Sequence, residues 1–428
     1  MNSSTKQTDL VLWLLLTLKR SLLPFFFFDK KTLLAFVVLF EETKREKEDF
    51  QYDTSKTSGE HVAKIADVIA KHIKAKKKFF SLEYFPPKTD ATSAQLEVTL
   101  CEMSSWGPQW MDITWGAGGT TSELTSAIAG YIQNECGTPC LMHLTCTNME
   151  KHKIDDALSL ARKINLRNIL ALRGDAPKGV SEWTAVDSGF TCALDLIKYI
   201  KQEYKDYFSI AISGYPEGHP NVRHKITDPK WNPKTNNPKY WAPRPIENGK
   251  AWEGVSMEDW QKELKYLKEK VDHGGQVIIT QLFYDVDIFF EFVKQARAIG
   301  IRVPILPGIM PIRGYALFAR MADFCKTVIP DKLAQALEPV KHSDAQVLVV
   351  GNIVFSIAIF YKYICMAWIK QMCRAIYDSE LDIPGVHVYT MNTHETPALI
   401  LDDLRLIESN HALKVREKEA GFKQMSTF

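Results

Sequence analysis

Residues 139–174 read PCLMHLTCTNMEKHKIDDALSLARKINLRNILALRG. The stretch opens on an apolar run, Pro139–Cys146, and closes on another, Asn168–Gly174. Between them, Ile154–Ile164 places apolar residues three and four apart, the period of an amphipathic helix. Strand, helix and strand within about 30 residues make a βαβ unit, whose two strands lie parallel in one sheet.

The same alternation continues on both sides. Short β-rich runs stand at Phe79–Phe85, Trp110–Trp115, Phe208–Tyr215, Gln276–Tyr284, Arg302–Met310 and Gly385–Asn392, with a second helical stretch at Ala193–Tyr204. Together with the quoted pair they make eight parallel strands. That number predicts an α/β fold of the closed (β/α)₈ type rather than an open doubly wound sheet. Two intervals are too long for simple connections. Residues 217–258, rich in Pro, Asn, Lys and Trp, predict a surface insertion followed by a helix over Trp260–Val271. Residues 347–366 are almost free of charge and precede Trp368–Tyr377, the helix expected before the eighth strand. They predict an insertion outside the barrel, unexcised or packed as an extra helix.

The chain has 428 residues, 46% hydrophobic and 24% charged, ordinary values for a globular protein. A net charge of +2 points to neither nucleic acid nor an acidic surface as partner. The eight cysteines form no disulfide framework, and the expectation is reduced thiols in the cytoplasm. Residues 1–60 differ from the rest. Their apolar runs at Leu10–Leu16, Leu22–Phe28 and Leu33–Phe40 are each shorter than the about 20 residues that span a bilayer. They are expected to form a poorly ordered extension without membrane contact. Residues 61–412 form the barrel and 413–428 a tail, and a homo-oligomer is left open.

Barrels of this type carry their chemistry where the C-terminal strand ends meet the loops. Those ends hold Glu83, Thr114, His143 with Thr145, Arg173 with Asp175, Tyr215, Gln281 and Asn392. Glu83 lies in SLEYFPPK (81–88), where two prolines end the strand stiffly. Alternation puts Ser81, Glu83 and Phe85 on one face, and a closed barrel gives that face no bulk solvent. Parity also groups Arg173 and Asp175 with Ile169 and Ala171, and assigns Leu170 and Leu172 to the helix layer. Three tempting motifs fail. TWGAGGTT (114–121) has Thr121 where a dinucleotide fingerprint needs glycine. In CGTPCLMHLTC (136–146), Cys140 and Cys146 fall on the face opposite His143, so zinc is not expected. Arg-Gly-Asp at an apolar strand end does not suit cell adhesion; an ion pair or a ligand site are its two readings.

The segments LEYFPPK, ITWGAGG, HLTC, ALRGD, GYPEGHP, LKEKVDHGG, ITQLFYD, PGIMPI and HVYTMN occur in this order over about residues 78–410. The set closely resembles the methylenetetrahydrofolate reductase family. The resemblance implies a barrel that holds FAD and reduces 5,10-methylenetetrahydrofolate to 5-methyltetrahydrofolate with electrons from NADPH or NADH, in a ping-pong scheme. It implies a proton donor at Glu83. Flavin contacts are implied at Thr114, Trp115, Ala117, His143, Arg173, Gly174, Asp175, Ala193, Tyr215 and His219, and at Glu263, Tyr266 and Lys270 in the helix before the sixth strand. Folate contacts are implied at Asp175 and Gln281, and no metal. Asp175 is further implied in catalysis, orienting the pterin while its charge favours a cationic iminium.

Three departures stand against the pattern. Asn392 is followed by Thr393 where the family often has Arg. The segment 347–366 has no counterpart. Eukaryotic relatives are expected to carry a C-terminal regulatory domain that binds S-adenosylmethionine, which the residues after 410 are too few to form. The competing classes are a pterin-ring transferase without flavin and an inactive, membrane-attached homologue.

Overall fold

The computed structural model describes residues 62–408 apart from 88, 117–121, 148, 175–185, 187–188, 229–230, 232–238, 339–346 and 351–352. The N-terminal extension, the tail, Ala117 and Asp175 lie outside the described residues.

The strands in chain order are β1 (Phe79–Tyr84), β2 (Met111–Ile113), β3 (Cys140–Thr145), β4 (Asn168–Leu172) and β5 (Ser209–Gly214), then β6 (Arg223–Lys225), β7 (Tyr240–Ile246) and β8 (Ala251–Ser256). They continue with β9 (Val277–Leu282), β10 (Ile305–Ile309), β11 (Val347–Val350), β12 (Ile353–Ser356) and β13 (Gly385–Tyr389). Eight of them close a barrel in the order β1-β13-β10-β9-β5-β4-β3-β2. The pairs around it are parallel, and β1 meets β13 along Phe79↔Gly385 to Glu83↔Tyr389. The (β/α)₈ expectation is therefore met, with each barrel strand inside the run that predicted it.

Residues paired across neighbouring strands share a face. The inner row contains Phe79, Trp110, Leu141, Leu170, Ala211, Val277, Ile279 and Leu306, and Ile65 and Ile69 of the helix Ile65–Ala75 pack into the same cluster. That helix is tied down by Asn168, whose Oδ1 accepts from Ile65 N–H at 2.8 Å and whose Nδ2 donates to Ala63 and Cys140 carbonyls. The outer row, including Leu82, Met142, Leu144, Ile169 and Ala171, packs with the helices.

One parity expectation is reversed. Leu170 pairs with His143 and belongs to the inner cluster with Leu172, whereas Ile169 and Ala171 join the helix-facing core. Alternation fails because β4 ends at Leu172. Arg173 and Gly174 lie past the last paired residue, and Gly174 has φ +89°, so the row cannot be extended to them. A Cβ at Gly174 would also lie 2.8 Å from Thr147 Oγ1.

Residues 217–258 carry β6, β7 and β8, an antiparallel sheet in the order β6-β8-β7, separate from the barrel. Trp241 of this sheet stacks on Trp260 at 4.6 Å and donates from Nε1 to Pro216 O. Arg223 donates to the carbonyls of Glu217 and Ala242, anchoring the sheet to the loop after β5. The helix that follows runs Met257–Asp272 and is N-capped by Ser256.

The apolar segment 347–366 divides in two. β11 and β12 pair antiparallel as a separate two-stranded sheet. From Ile357 the chain is helical without interruption to Asp378, so the first turns of this helix take the place of the separate helix expected there. Residues 357–378 contain no Gly or Pro to stop it. Met366, Ile369, Met372, Cys373 and Ile376 are buried in the helix-facing core. Among the described residues, no helix is long and apolar enough to cross a membrane.

Candidate active site

Glu83 leaves the barrel wall where β1 ends, 6% exposed and facing a cavity of about 1010 Å³. Two proline rings sit at the mouth, but hydrogen bonds from β13 and the turn after it hold the backbone. The Glu83 carbonyl accepts from Thr390 N–H at 3.1 Å and Thr390 Oγ1 at 2.7 Å. Phe85 N–H donates to Asn392 Oδ1 and Phe85 O accepts from Asn392 Nδ2, each at 2.8 Å. Asn392 reaches this position because Met391 and Asn392 are both left-handed, φ +54° and +57°. Thr393 turns its hydroxyl to Thr390 O.

Behind Glu83 lies a buried polar cluster. His387 Nε2 stands 3.2 Å from Glu83 Oε2, and its Nδ1 is 2.9 Å from Ser81 Oγ. Asp112 is fully buried, with Oδ2 3.4 Å from His143 Nε2 and Oδ1 3.8 Å from His387 Nδ1. His143 Nε2 also approaches Glu83 Oε2 at 3.6 Å. Burial raises the Asp112 carboxyl above its ordinary range, against the pull of His387 and His143. At His387 burial opposes charging, yet the carboxylates of Asp112 and Glu83 outweigh it and raise the imidazole. Both directions favour the protonated form, at Asp112 and at His387.

The cavity's far wall is basic. Lys270, 4% exposed, donates from Nζ to Ser213 O at 2.8 Å and lies 5.1 Å from the centre of the Tyr266 ring. Burial pulls its amine down to about 8, with Glu263 acting the other way. Burial raises Glu263 itself, while Lys270 lowers it. His219 packs edge-on to Tyr215 at 4.7 Å and accepts from Asn221 N–H through Nδ1. Burial, then Arg173 and Lys270, push its imidazole down to about 4, so the ring is neutral. Arg173 lines the cavity, its carbonyl pinned by Thr147 N–H at 2.8 Å. Gly174, Ala193 at the start of the helix Ala193–Tyr204, and Gln281 at the end of β9 complete this side. Near Glu83 the wall is Thr114 and Trp115. The Trp115 indole N–H is buried without a hydrogen-bond partner among the described residues.

Lys270 gives a pH test. The unfolded chain keeps this proton to about 10.5 and the folded protein to about 8, so between them the unfolded state binds more protons. Ligand-free stability should therefore rise with pH through that window, and the burial cost is fully present below it. The Lys270 contribution to the slope is at most about 1.4 kcal/mol per pH unit. Urea unfolding at stepped pH should show this slope in the parent and its loss in Lys270→Met; equal slopes would refute the assignment.

Of the described residues that the sequence reading named, the acid, flavin and folate candidates line one cavity, whereas Thr145 and Asn392, also at strand ends, do not. Asp112, His387 and Tyr389 were not anticipated. Asp112 stands alone in apolar β2 and His387 and Tyr389 alternate in β13, and the available signal was the one used for Glu83: a closed barrel has no solvated strand face. Tyr389 donates to Thr280 O at 2.7 Å and packs edge-on to His387.

A family model described as methylenetetrahydrofolate reductase matches residues 68–405. Over 348 residues the chain is 42% identical to methylenetetrahydrofolate reductase (NADH) 1 of Arabidopsis thaliana, covering 81% of this chain and 52% of that protein. It is 38% identical over 347 residues to methylenetetrahydrofolate reductase 2 of Saccharomyces cerevisiae, covering 80% and 50%. A probable methylenetetrahydrofolate reductase (NADPH) of Caenorhabditis elegans is 33% identical over 354 residues, covering 82% and 45%. The chain spans about half the length of these curated relatives.

Proposed function

We propose, from the premise that this chain belongs to the methylenetetrahydrofolate reductase family, that it reduces 5,10-methylenetetrahydrofolate to 5-methyltetrahydrofolate with NADH or NADPH as electron donor. FAD fits the residues present. The cavity is lined by apolar Leu170, Leu172 and Ile279, by the cations Arg173 and Lys270, and by Trp115, whose N–H has no partner among the described residues. Thr114, Trp115, Ala117, His143, Arg173, Gly174, Asp175, Ala193, Tyr215, His219, Glu263, Tyr266 and Lys270 would hold the cofactor. When bound, FAD supplies the hydride, taken from the nicotinamide and given to the folate's methylene carbon.

The protein's own part is acid chemistry and orientation. Opening the folate's five-membered ring requires a proton on N10 and leaves a 5-iminium cation. Glu83 donates that proton, and its buried position keeps bulk water from competing for it. Gln281 and Asp175 orient the pterin, and the Asp175 carboxylate favours the cation. What supports this reading most is Glu83 itself: an acid at the cavity wall whose backbone is held by Thr390, just past the end of β13.

The test is spectroscopic. The purified protein should be yellow, lose its flavin bands on anaerobic addition of NADH or NADPH, and regain them on addition of methylenetetrahydrofolate. A colourless protein that acts on folates would favour the transferase reading. A flavoprotein whose colour does not return with the folate would refute the substrate.

A further inference from the structure

The proposed reaction consumes one proton from solvent in each turnover, and Glu83 is not placed to act alone. Four ionisable groups, Glu83, Asp112, His143 and His387, contribute atoms at 3.2 to 3.8 Å across β1, β2, β3 and β13. Exposure is graded across them: Glu83 and His143 reach the cavity at 6% and 5%, while Asp112 and His387 lie behind at 0%. Two buried carboxylates with two neutral imidazoles would place two negative charges inside the barrel. Such charge must be neutralised. The cluster is neutral when it holds two protons beyond that state.

We propose that these four residues are one buried proton store, in which His387 is a positioning residue that returns a proton to Glu83 after each donation. The proposal rests on the acid role read for Glu83. In the loaded store one proton is on the Glu83 carboxyl and one is on the His387 ring, which it charges 3.8 Å from the Asp112 carboxylate. Donation to N10 breaks the Glu83 O–H bond and forms the N–H bond. It leaves the store with one net negative charge beside the new iminium cation, which that charge stabilises. The His387 Nε2 proton then moves to Glu83 Oε2 along the 3.2 Å contact. A solvent proton entering at the cavity side past His143 restores the total. No oxidant or second reactant is needed.

Three details fit a store better than a static ion pair. Asp112 Oδ1 makes no hydrogen bond among the described residues although it is fully buried, so the carboxylate has room for a proton. Ser81 Oγ, 2.9 Å from His387 Nδ1, can donate to a neutral ring or accept from a charged one, so the imidazole keeps a partner in either state. Among the described residues, the other ionisable group packed on the His387 ring is Tyr389, committed as a donor to Thr280 O. β10, on the other side of β13, presents Ile305–Ile309 and adds none.

The first test needs neither turnover nor folate. In the purified holoprotein labelled with nitrogen-15 histidine, His387 ring signals are identified by their loss in His387→Asn. Both nitrogens should stay protonated well above the pH at which an exposed imidazole is neutral, and Asp112→Asn should bring that titration down. A His387 that is already neutral at neutral pH in the parent would overturn the store. If His387→Asn does not fold, Ser81→Ala serves: one buried histidine signal should move, and an unmoved set of signals would overturn the proposal. The second test is kinetic. His387→Asn should accept electrons from nicotinamide at the parental rate. Its reoxidation by methylenetetrahydrofolate should slow about 10-fold or more, with the alkaline fall in rate moved to lower pH. An unchanged pH profile would make His387 merely structural. A parent that does not reduce the folate would refute the activity, while the titration would still decide whether the store exists.

Discussion

Glu83→Gln is expected to bleach with NADH or NADPH as fast as the parent and to regain its colour with methylenetetrahydrofolate at least about 10²-fold more slowly. The two half-reactions separate because only the folate side needs a proton, and an amide cannot supply one at neutral pH. A 10²-fold loss corresponds to about 2.7 kcal/mol of transition-state stabilisation. The substitution preserves shape, so the Thr390 and Asn392 bonds to the neighbouring backbone should survive. Stopped-flow absorbance under nitrogen measures both steps in one preparation. Parental reoxidation would remove the acid role from Glu83. Failure to bind flavin would instead assign the side chain to holding the cluster with His387 together.

Gly308→Ala carries the largest expected effect on stability. A Cβ there would lie 2.1 Å from Thr280 O and 2.6 Å from Tyr389 Oη, distances no side-chain adjustment at Thr280 can relieve because the first contact is backbone. Gly308 N–H also donates to Thr280 Oγ1, so β10 cannot retreat without breaking that bond. The loss should exceed about 3 kcal/mol, beyond the usual range for overpacking. Gly107 is the control. It has a positive φ of +78° but nothing within 4 Å of an added Cβ, so Gly107→Ala should cost only about 1 to 2 kcal/mol of backbone strain. Chemical unfolding of the three proteins side by side checks the ordering, and similar midpoints for the two variants would refute it.

The barrel was legible because its strands are short apolar runs punctuated by Gly, Pro and Asn, with amphipathic helices between them. The candidate site was legible where a polar residue ends such a run: Glu83, Tyr215 and Gln281 needed only the rule that chemistry sits at C-terminal strand ends. Arg173 was placed at the right rim by the wrong argument. Alternation holds only as far as the ladder, and nothing local in ALRGD marks Leu172 as its last rung. Asp112 and His387 escaped for a related reason. Their meaning comes from register, Ser81 beside His387 and Glu83 beside Asp112, and the register between two strands is not written in either strand. The segment after 346 was misread at one point. Low charge marked it as foreign to the barrel, but continuous helix propensity joins residues 357–366 to the helix before β13.

The clamp from β13 onto β1 also bears on how the chain reaches its working state. His387, Thr390 and Asn392 all contact the strand-one exit across more than 300 positions of sequence. Loop-closure entropy makes contacts of that separation among the slowest to form. A nascent or partly folded chain can therefore build β1 through β10 and still lack an oriented acid. Docking of the last strand closes the sheet, removes its two open edges and completes the acid's surroundings in one event. During refolding, the proposed opening of the folate ring should consequently appear with the slowest structural phase and not before it. Incomplete barrels, which expose strand edges and are prone to aggregate, would carry no unguarded acid capable of forming a reactive iminium.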